Sequence, residues 1–350
     1  MQVKIHTVAK QLPQYTRSTA EIIPFVETWL DGQEDRLKRK AIKIFENAGV
    51  DKRYSLVNPF EVFTETSFEQ RNAIYTREVI EIGEKVLRKA LEKAQWQADS
   101  LDYIITVSCT GIMIPSLDAY LINRLKLRQD IVRLPVTEMG CAAGVSGLIY
   151  ARQFLMANPG KRAAIIAVES PASTFLFNDF SMTNIVSAAI FGDGASCALL
   201  SSGPEATGPE ILDTAMFHFY DTERLMGFDL TNDGLKMILD EDVPNQIEAH
   251  FSEIIHPFLK SNGLEINAIK HLVFHPGGRK ILEITENLFN ALGKNIDDTR
   301  EVLRLYGNMS SATVLYVLER FMEKQIPKGE YGLILSFGPG FSAQQVLLKW

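Results

Sequence analysis

The feature that most constrains this chain is an internal echo. An apolar run, Tyr103-Ile104-Ile105-Thr106-Val107, ends at Cys109-Thr110-Gly111; another, His271-Leu272-Val273-Phe274, ends at His275-Pro276-Gly277. Gly140-Cys141 opens one helical pattern and Gly307-Asn308 opens another. Cys109 precedes Cys141 by 32 positions, and His275 precedes Asn308 by 33. The apolar strands Ala163–Val168 and Gly332–Leu335 follow at matching places. Strands alternating with helical patterns predict β/α units, so the repeat predicts two similar halves, residues 1–205 and 206–350. The turn-rich linker Ser201-Ser202-Gly203-Pro204-Glu205-Ala206-Thr207-Gly208-Pro209 divides them. A pseudo-twofold pairing brings Cys141, His275 and Asn308 towards one central site.

Periodicity fills in the rest. Helices are expected over 24–29, 36–48, 68–94, 116–125, 142–157, 182–189, 244–261, 279–292 and 307–323. Further strands are expected over 3–8, 131–136, 195–200, 211–219, 331–336 and 342–348. Residues 229–234 read as a Gly- and Asp-containing loop.

Three cysteines at wide spacings, with no CxxC pair, support neither a disulfide framework nor a structural zinc site. A reducing, cytoplasmic setting is the natural expectation. Met1–His6 reads as a strand and not as a signal peptide, and no apolar run is long enough to insert in a membrane. The net charge of −7 argues against a general attraction for nucleic acid.

The chemistry follows from the echoed positions. A thiol at a helix N-terminus is favoured as thiolate by unsatisfied N–H groups and the helix dipole. A nearby imidazole predicts an ion pair with it. His and Asn donors aimed at one point make an oxyanion hole for a thioester enolate. Cys141, His275 and Asn308 together fit acyl transfer coupled to decarboxylative carbon–carbon bond formation. Cys197, inside the apolar strand Ala195–Leu200, reads as a core residue. Cys109 suits a cavity wall or the core equally.

These motifs resemble one family. Gly140-Cys141, Phe191-Gly192-Asp193-Gly194-Ala195, His275-Pro276-Gly277-Gly278, Gly307-Asn308-Met309-Ser310-Ser311-Ala312 and Phe337-Gly338-Pro339-Gly340-Phe341 are similar to those of type III polyketide synthases, the chalcone/stilbene synthase group of the thiolase superfamily. The likeness spans nearly the whole chain. It implies a five-layered αβαβα thiolase-like fold, an acyltransferase and a homodimer. It implies no cofactor, with acyl-CoA and malonyl-CoA as substrates. Cys141 would accept the starter acyl group, and His275 and Asn308 would promote decarboxylation of malonyl-CoA. Phe191 would be the gatekeeper between CoA tunnel and cavity. CoA contacts would fall on Lys40, Lys43 and Asn47, the last neutral where the family has a base.

By the same resemblance Cys109, Ile114, Thr174, Ser187, Phe228, Met237, Ser310, Gly338, Pro339 and Gly340 would line the cavity, with Ile114 on the loop that reaches the partner subunit. Phe228 and Met237 depart from the plant enzymes, which carry glycine and phenylalanine there. A fatty acyl-CoA starter leading to alkylpyrones or alkylresorcinols is the favoured expectation. The alternatives are a tetrahydroxynaphthalene-type synthase using malonyl-CoA alone, a ketoacyl-ACP synthase III-like enzyme making one condensation, and a non-catalytic acyl-CoA-binding protein of the same fold.

Overall fold

The computed structural model describes residues 2–350. Its N-terminal half runs β1 (Val3–Gln11), β2 (Tyr15–Ser18), α1 (Thr19–Trp29), α2 (Asp35–Glu46), β3 (Lys52–Ser55), α3 (Pro59–Val62), α4 (Phe68–Ala94), β4 (Tyr103–Val107), α5 (Leu117–Leu125), β5 (Val132–Val136), α6 (Ala143–Ala157), β6 (Arg162–Glu169), α7 (Met182–Ile190) and β7 (Gly194–Ser202). The C-terminal half runs β8 (Glu210–His218), β9 (Met226–Thr231), β10 (Gly234–Leu239), α8 (Val243–Ser261), β11 (Ile269–Phe274), α9 (Arg279–Asn290), α10 (Asp297–Tyr306), α11 (Thr313–Met322), β12 (Tyr331–Gly338) and β13 (Ser342–Lys349).

The repeat is visible in the sheet. Its order is β11-β12-β13-β8-β1-β7-β6-β4-β5, and β8 meets β1 only at Lys4 and Glu210. On each side of that seam the order and sense repeat. β4 is parallel to β6 as β11 is to β12, and β6–β7 and β12–β13 are both antiparallel. β5 has no strand counterpart and forms the outer edge.

Side-chain alternation along these strands builds the layers. Ile104 joins a core with Val79, Val86 and Leu121 of α4 and α5, while Ile105 faces the opposite way, towards Val145 and Leu148 of α6. That central core also takes in Val314 and Leu318 of α11, with Val273, Ile334 and Val346 from the second half. Leu272, Leu333 and Leu347 turn outward to Ile247 and Phe251 of α8 and Phe289 of α9. The layers are therefore α4/α5, strands, α6/α11, strands, and α8/α9. Among the described residues no helix is long and apolar enough to cross a membrane.

The local expectations fail where short-range chemistry outweighs periodicity. α1 begins at Thr19 and not at Pro24, because Ser18 and Glu21 form a capping box ahead of it. Residues 229–234 are not a loop; they belong to the β9–β10 hairpin, whose strands pair from Met226↔Leu239 to Thr231↔Gly234 around Asn232-Asp233. Turn residues masked the flanking strands. α10 was unforeseen, and the expected helix 307–323 begins only at Thr313, after a 3-10 turn at Ser310–Ala312.

Candidate active site

Cys141 sits in a 3-10 turn, Gly140–Ala142, at the head of α6. Gly140 has φ +48°, and a β-carbon there would lie 2.6 Å from Pro339 Cδ. A β-carbon on Gly338 would lie 2.6 Å from both the Ala142 β-carbon and the Met139 carbonyl oxygen. The Ser336 hydroxyl donates to the Cys141 carbonyl at 2.9 Å. The closing loop thus clamps the cysteine turn backbone to backbone. Of its three expected cavity residues only Pro339 lines the cavity; Gly338 packs against the turn, and Gly340 (φ +69°) serves the β12–β13 turn.

Asn308 occupies the echoed place before α11. Its backbone N–H donates to Ile190 at 2.8 Å, and its carbonyl accepts from Gly192 at 3.0 Å, locking it beside Phe191. Its side-chain oxygen accepts the Ser310 N–H at 2.8 Å while its amide nitrogen donates to the Gly277 carbonyl at 3.2 Å. Those contacts settle which end of the amide is which, and leave one N–H unspent. His275 is buried at the end of β11, tied by its own N–H to the Leu335 carbonyl at 3.0 Å.

Cys141, His275 and Asn308 line one apolar cavity, together with Cys109, Phe191, Phe228, Met237, Ser310 and Pro339. The Ser310 hydroxyl stands 3.5 Å from the Cys109 sulfur and 3.7 Å from the Cys141 sulfur. A second cavity holds Thr174 and Ser187 with Ile22, Val62, Phe63 and Phe175, and with Arg17, Arg53 and Asp193 on its polar side. Phe191, Pro171 and Met237 line both cavities. Ile114 lines neither: it is 94% exposed on the loop before α5. Lys40, Lys43 and Asn47 lie exposed along α2 and its C-cap and line neither cavity, and the Asn47 amide donates to the Lys43 carbonyl. Cys197 is fully buried in β7.

The electrostatics differ from the expected ion pair. Burial pushes the Cys141 thiol up to about 12, with the Ser310 hydroxyl pulling the other way and the Glu169 charge adding to the rise. Burial drives the His275 imidazole down to about 3, and neither ring nitrogen has a hydrogen-bond partner among the described residues. Two isolated charges are costly in so dry a chamber. Burial therefore pushes both groups towards their neutral forms.

Glu169 was not singled out from the sequence. It is fully buried at the end of β6 and accepts from the Cys109 N–H at 3.0 Å and the Thr110 hydroxyl at 2.8 Å, and also from the Ser311 hydroxyl. Burial raises its carboxyl, and these donors oppose the rise. An acid closing a wholly apolar strand was the available signal. Asp193 behaves similarly: burial lifts it to about 6, though it accepts from the Leu56 and Ala172 N–H groups. It pins the turn after Phe191 to the segments before α3 and α7.

A seam-joined double sheet around two central helices, with Cys, His and Asn in one buried chamber, is the architecture of a thiolase-fold acyltransferase. Residues 24–204 match the family described as chalcone and stilbene synthases, N-terminal domain, and residues 211–350 its C-terminal domain. The chain belongs to that family, the type III polyketide synthases. It is 33% identical to 1,3,6,8-tetrahydroxynaphthalene synthase of Streptomyces peucetius, over 88% of this chain and 83% of that one. It is 29% identical to phloroglucinol synthase of Pseudomonas fluorescens, over 97% and 96%. The crystal structure of 1,3,6,8-tetrahydroxynaphthalene synthase from Streptomyces coelicolor superposes with a TM-score of 0.92 at 28% identity, covering 100% of this chain and 99% of the other.

Proposed function

We propose that this type III polyketide synthase loads a fatty acyl group from acyl-CoA onto Cys141 and extends it with malonyl-CoA to an alkylpyrone or alkylresorcinol. The observation carrying this reading is the second cavity, with Ile22, Val62, Phe63 and Phe175 on its wall, that meets the Cys141 chamber at Phe191, Pro171 and Met237. Together the two cavities offer an acyl chain apolar wall beyond the nucleophile.

The residues divide the work as follows. His275 takes the Cys141 proton as sulfur attacks the thioester carbonyl, and free CoA leaves with a proton. The thiolate and imidazolium are created side by side, where each stabilises the other most. For extension, the malonyl thioester carbonyl sits against His275 and the unspent Asn308 N–H. Its carboxylate leaves as CO2, and the bonding electrons become an enolate whose oxygen those donors hold. The enolate carbon attacks the Cys141 thioester, releasing the Cys141 thiolate and an extended acyl-CoA that can reload. The dry wall keeps water from the acyl-cysteine.

A homodimer fits the same reading. β5 is a sheet edge, and Ile112, Val132 and the nearly bare Ile114 are exposed beside it. Such an edge is a ready surface for a second copy.

A second reading, malonyl-CoA as both starter and extender, is favoured by the likeness to the Streptomyces peucetius synthase. Incubation with malonyl-CoA and starters from acetyl- to palmitoyl-CoA separates the two. Alkylpyrones or alkylresorcinols from C8 and longer starters support the first. A naphthol from malonyl-CoA, with no acyl incorporation, supports the second. Absence of CO2 release with every starter overturns both.

A further inference from the structure

We propose that the basic face of α2 is the docking surface for an acidic acyl carrier protein, which presents the starter on a phosphopantetheine arm. The inference deepens the reading of Cys141 as acyl acceptor and rests on it for the transfer step.

Five of the twelve residues of α2 are basic, in a chain whose net charge is −7. Arg36, Arg39, Lys40 and Lys43 are all exposed. At about 100° per residue they fall within one arc of roughly 100°, along about 10 Å of helix axis. Among the described residues none of the four has an ion-pair partner, while Lys38, to one side, pairs with Asp31. Like charges at these spacings weaken a helix. α2 is held instead by its opposite face, where Ala41 and Phe45 share a core with Ile185, Ala189 and Ile190 of α7. The helix thus carries a repelling stripe that no ion pair among the described residues relieves.

The stripe is also well placed. α7 runs directly into Phe191, which lines both cavities. The family resemblance assigns Lys40 and Lys43 to CoA phosphates. Arg36 and Arg39 continue the same face by another turn and belong to no such set. A nucleotide needs a small cluster of cations; a stripe of this length matches an acidic protein surface. On a chain of net negative charge, a basic stripe of this kind gives an acidic carrier a favourable side of approach, which orients its arm.

The test uses the intact enzyme and a phosphopantetheinylated, acidic bacterial fatty-acid carrier protein, with Arg36→Glu/Arg39→Glu as the variant. Glutamate near the start of α2 is compatible with the helix dipole, and an Arg36→Gln/Arg39→Gln variant guards against misfolding. Titration of the carrier without an acyl group reads docking alone. We expect binding that charge reversal weakens at least tenfold and that added salt weakens in parallel. Decanoyl transfer to Cys141, followed by intact mass, should slow at least tenfold from the carrier and less than twofold from CoA. No measurable docking to the native enzyme, or docking equal in both forms, overturns the proposal. Docking without acylation from either donor upholds the surface and overturns the fatty-acyl reading instead.

Discussion

Gly144 and Ser311 meet backbone to backbone: a β-carbon on Gly144 would lie 2.2 Å from the Ser311 carbonyl oxygen. This is where the first turn of α6, behind Cys141, crosses the 3-10 turn behind Asn308. The two halves are pressed together at their equivalent points, and glycine sets the separation. In an ordinary helix interior, Gly→Ala gains up to about 1 kcal/mol. Here backbone would have to yield, so Gly144→Ala should destabilise by about 3 kcal/mol, read by urea unfolding. It should also cut condensation more than it cuts thiol content, since it moves Cys141 away from Asn308.

Ser310 lies in the left-handed region, at φ +48°, a conformation costing a residue with a β-carbon about 1 kcal/mol or more. Its hydroxyl touches both cavity sulfurs. Ser310→Gly relieves the backbone and Ser310→Ala does not, although both delete the hydroxyl. The glycine variant should therefore be the more stable of the two by thermal unfolding, despite removing more side chain. A Ser310→Ala protein equal to or more stable than Ser310→Gly would show that the strain is not felt. Products should shift in the same direction in both variants, because the loss at the sulfurs is shared.

His275 makes an acid-side prediction. Burial holds its folded pKa at about 3, against an unperturbed 6.5. The unfolded chain then takes up a proton below pH 6.5 that the folded chain refuses. The associated stability is present above that pH and is lost as pH falls towards 3. Between pH 7 and pH 5 the loss is about 2 kcal/mol. Asp193, raised to about 6, works in the opposite sense, so the difference between proteins is the readout. His275→Gln should lose about 2 kcal/mol less than the native protein over that interval. Parallel stability curves would mean that His275 is not held neutral in the fold.

How much was legible in the sequence depended on what kind of force decided each feature. The echo of Cys109/Cys141 by His275/Asn308 was readable because duplicated strands and helices keep their periodicity, and the sheet repeats on either side of Lys4 and Glu210. The 27-residue α4 was equally plain, with Ser67 capping one end and an apolar stripe throughout. The β9–β10 hairpin was hidden by Asn232-Asp233-Gly234, whose turn chemistry spoke louder than two short strands. The thiolate–imidazolium pair was expected from the helix dipole, yet burial pushes both groups towards their neutral forms. Dryness comes from residues distant in sequence, such as Phe191, Leu239 and Phe337 around His275. Gly338 was readable as important but not as a clamp, because its role is set by Ala142, almost two hundred positions earlier.

The second cavity makes the last prediction, and it separates tail recognition from chemistry. Ala188, on α7 one turn before Phe191, lines that cavity but not the Cys141 chamber. Ala188→Phe adds a ring to the space where a long acyl chain would lie. It leaves Cys141, His275, Asn308 and the gate residue unchanged. Each methylene forced out of an apolar site costs about 0.8 kcal/mol, so excluding two or three lowers kcat/KM at least tenfold. Decanoyl- and longer starters should show that loss, whereas acetyl-CoA priming and malonyl-CoA decarboxylation should change less than threefold. An equal loss for short and long starters would mean that the ring disturbs Phe191 itself. Undiminished use of decanoyl-CoA would place the acyl chain elsewhere, on the Phe228 side of the Cys141 chamber.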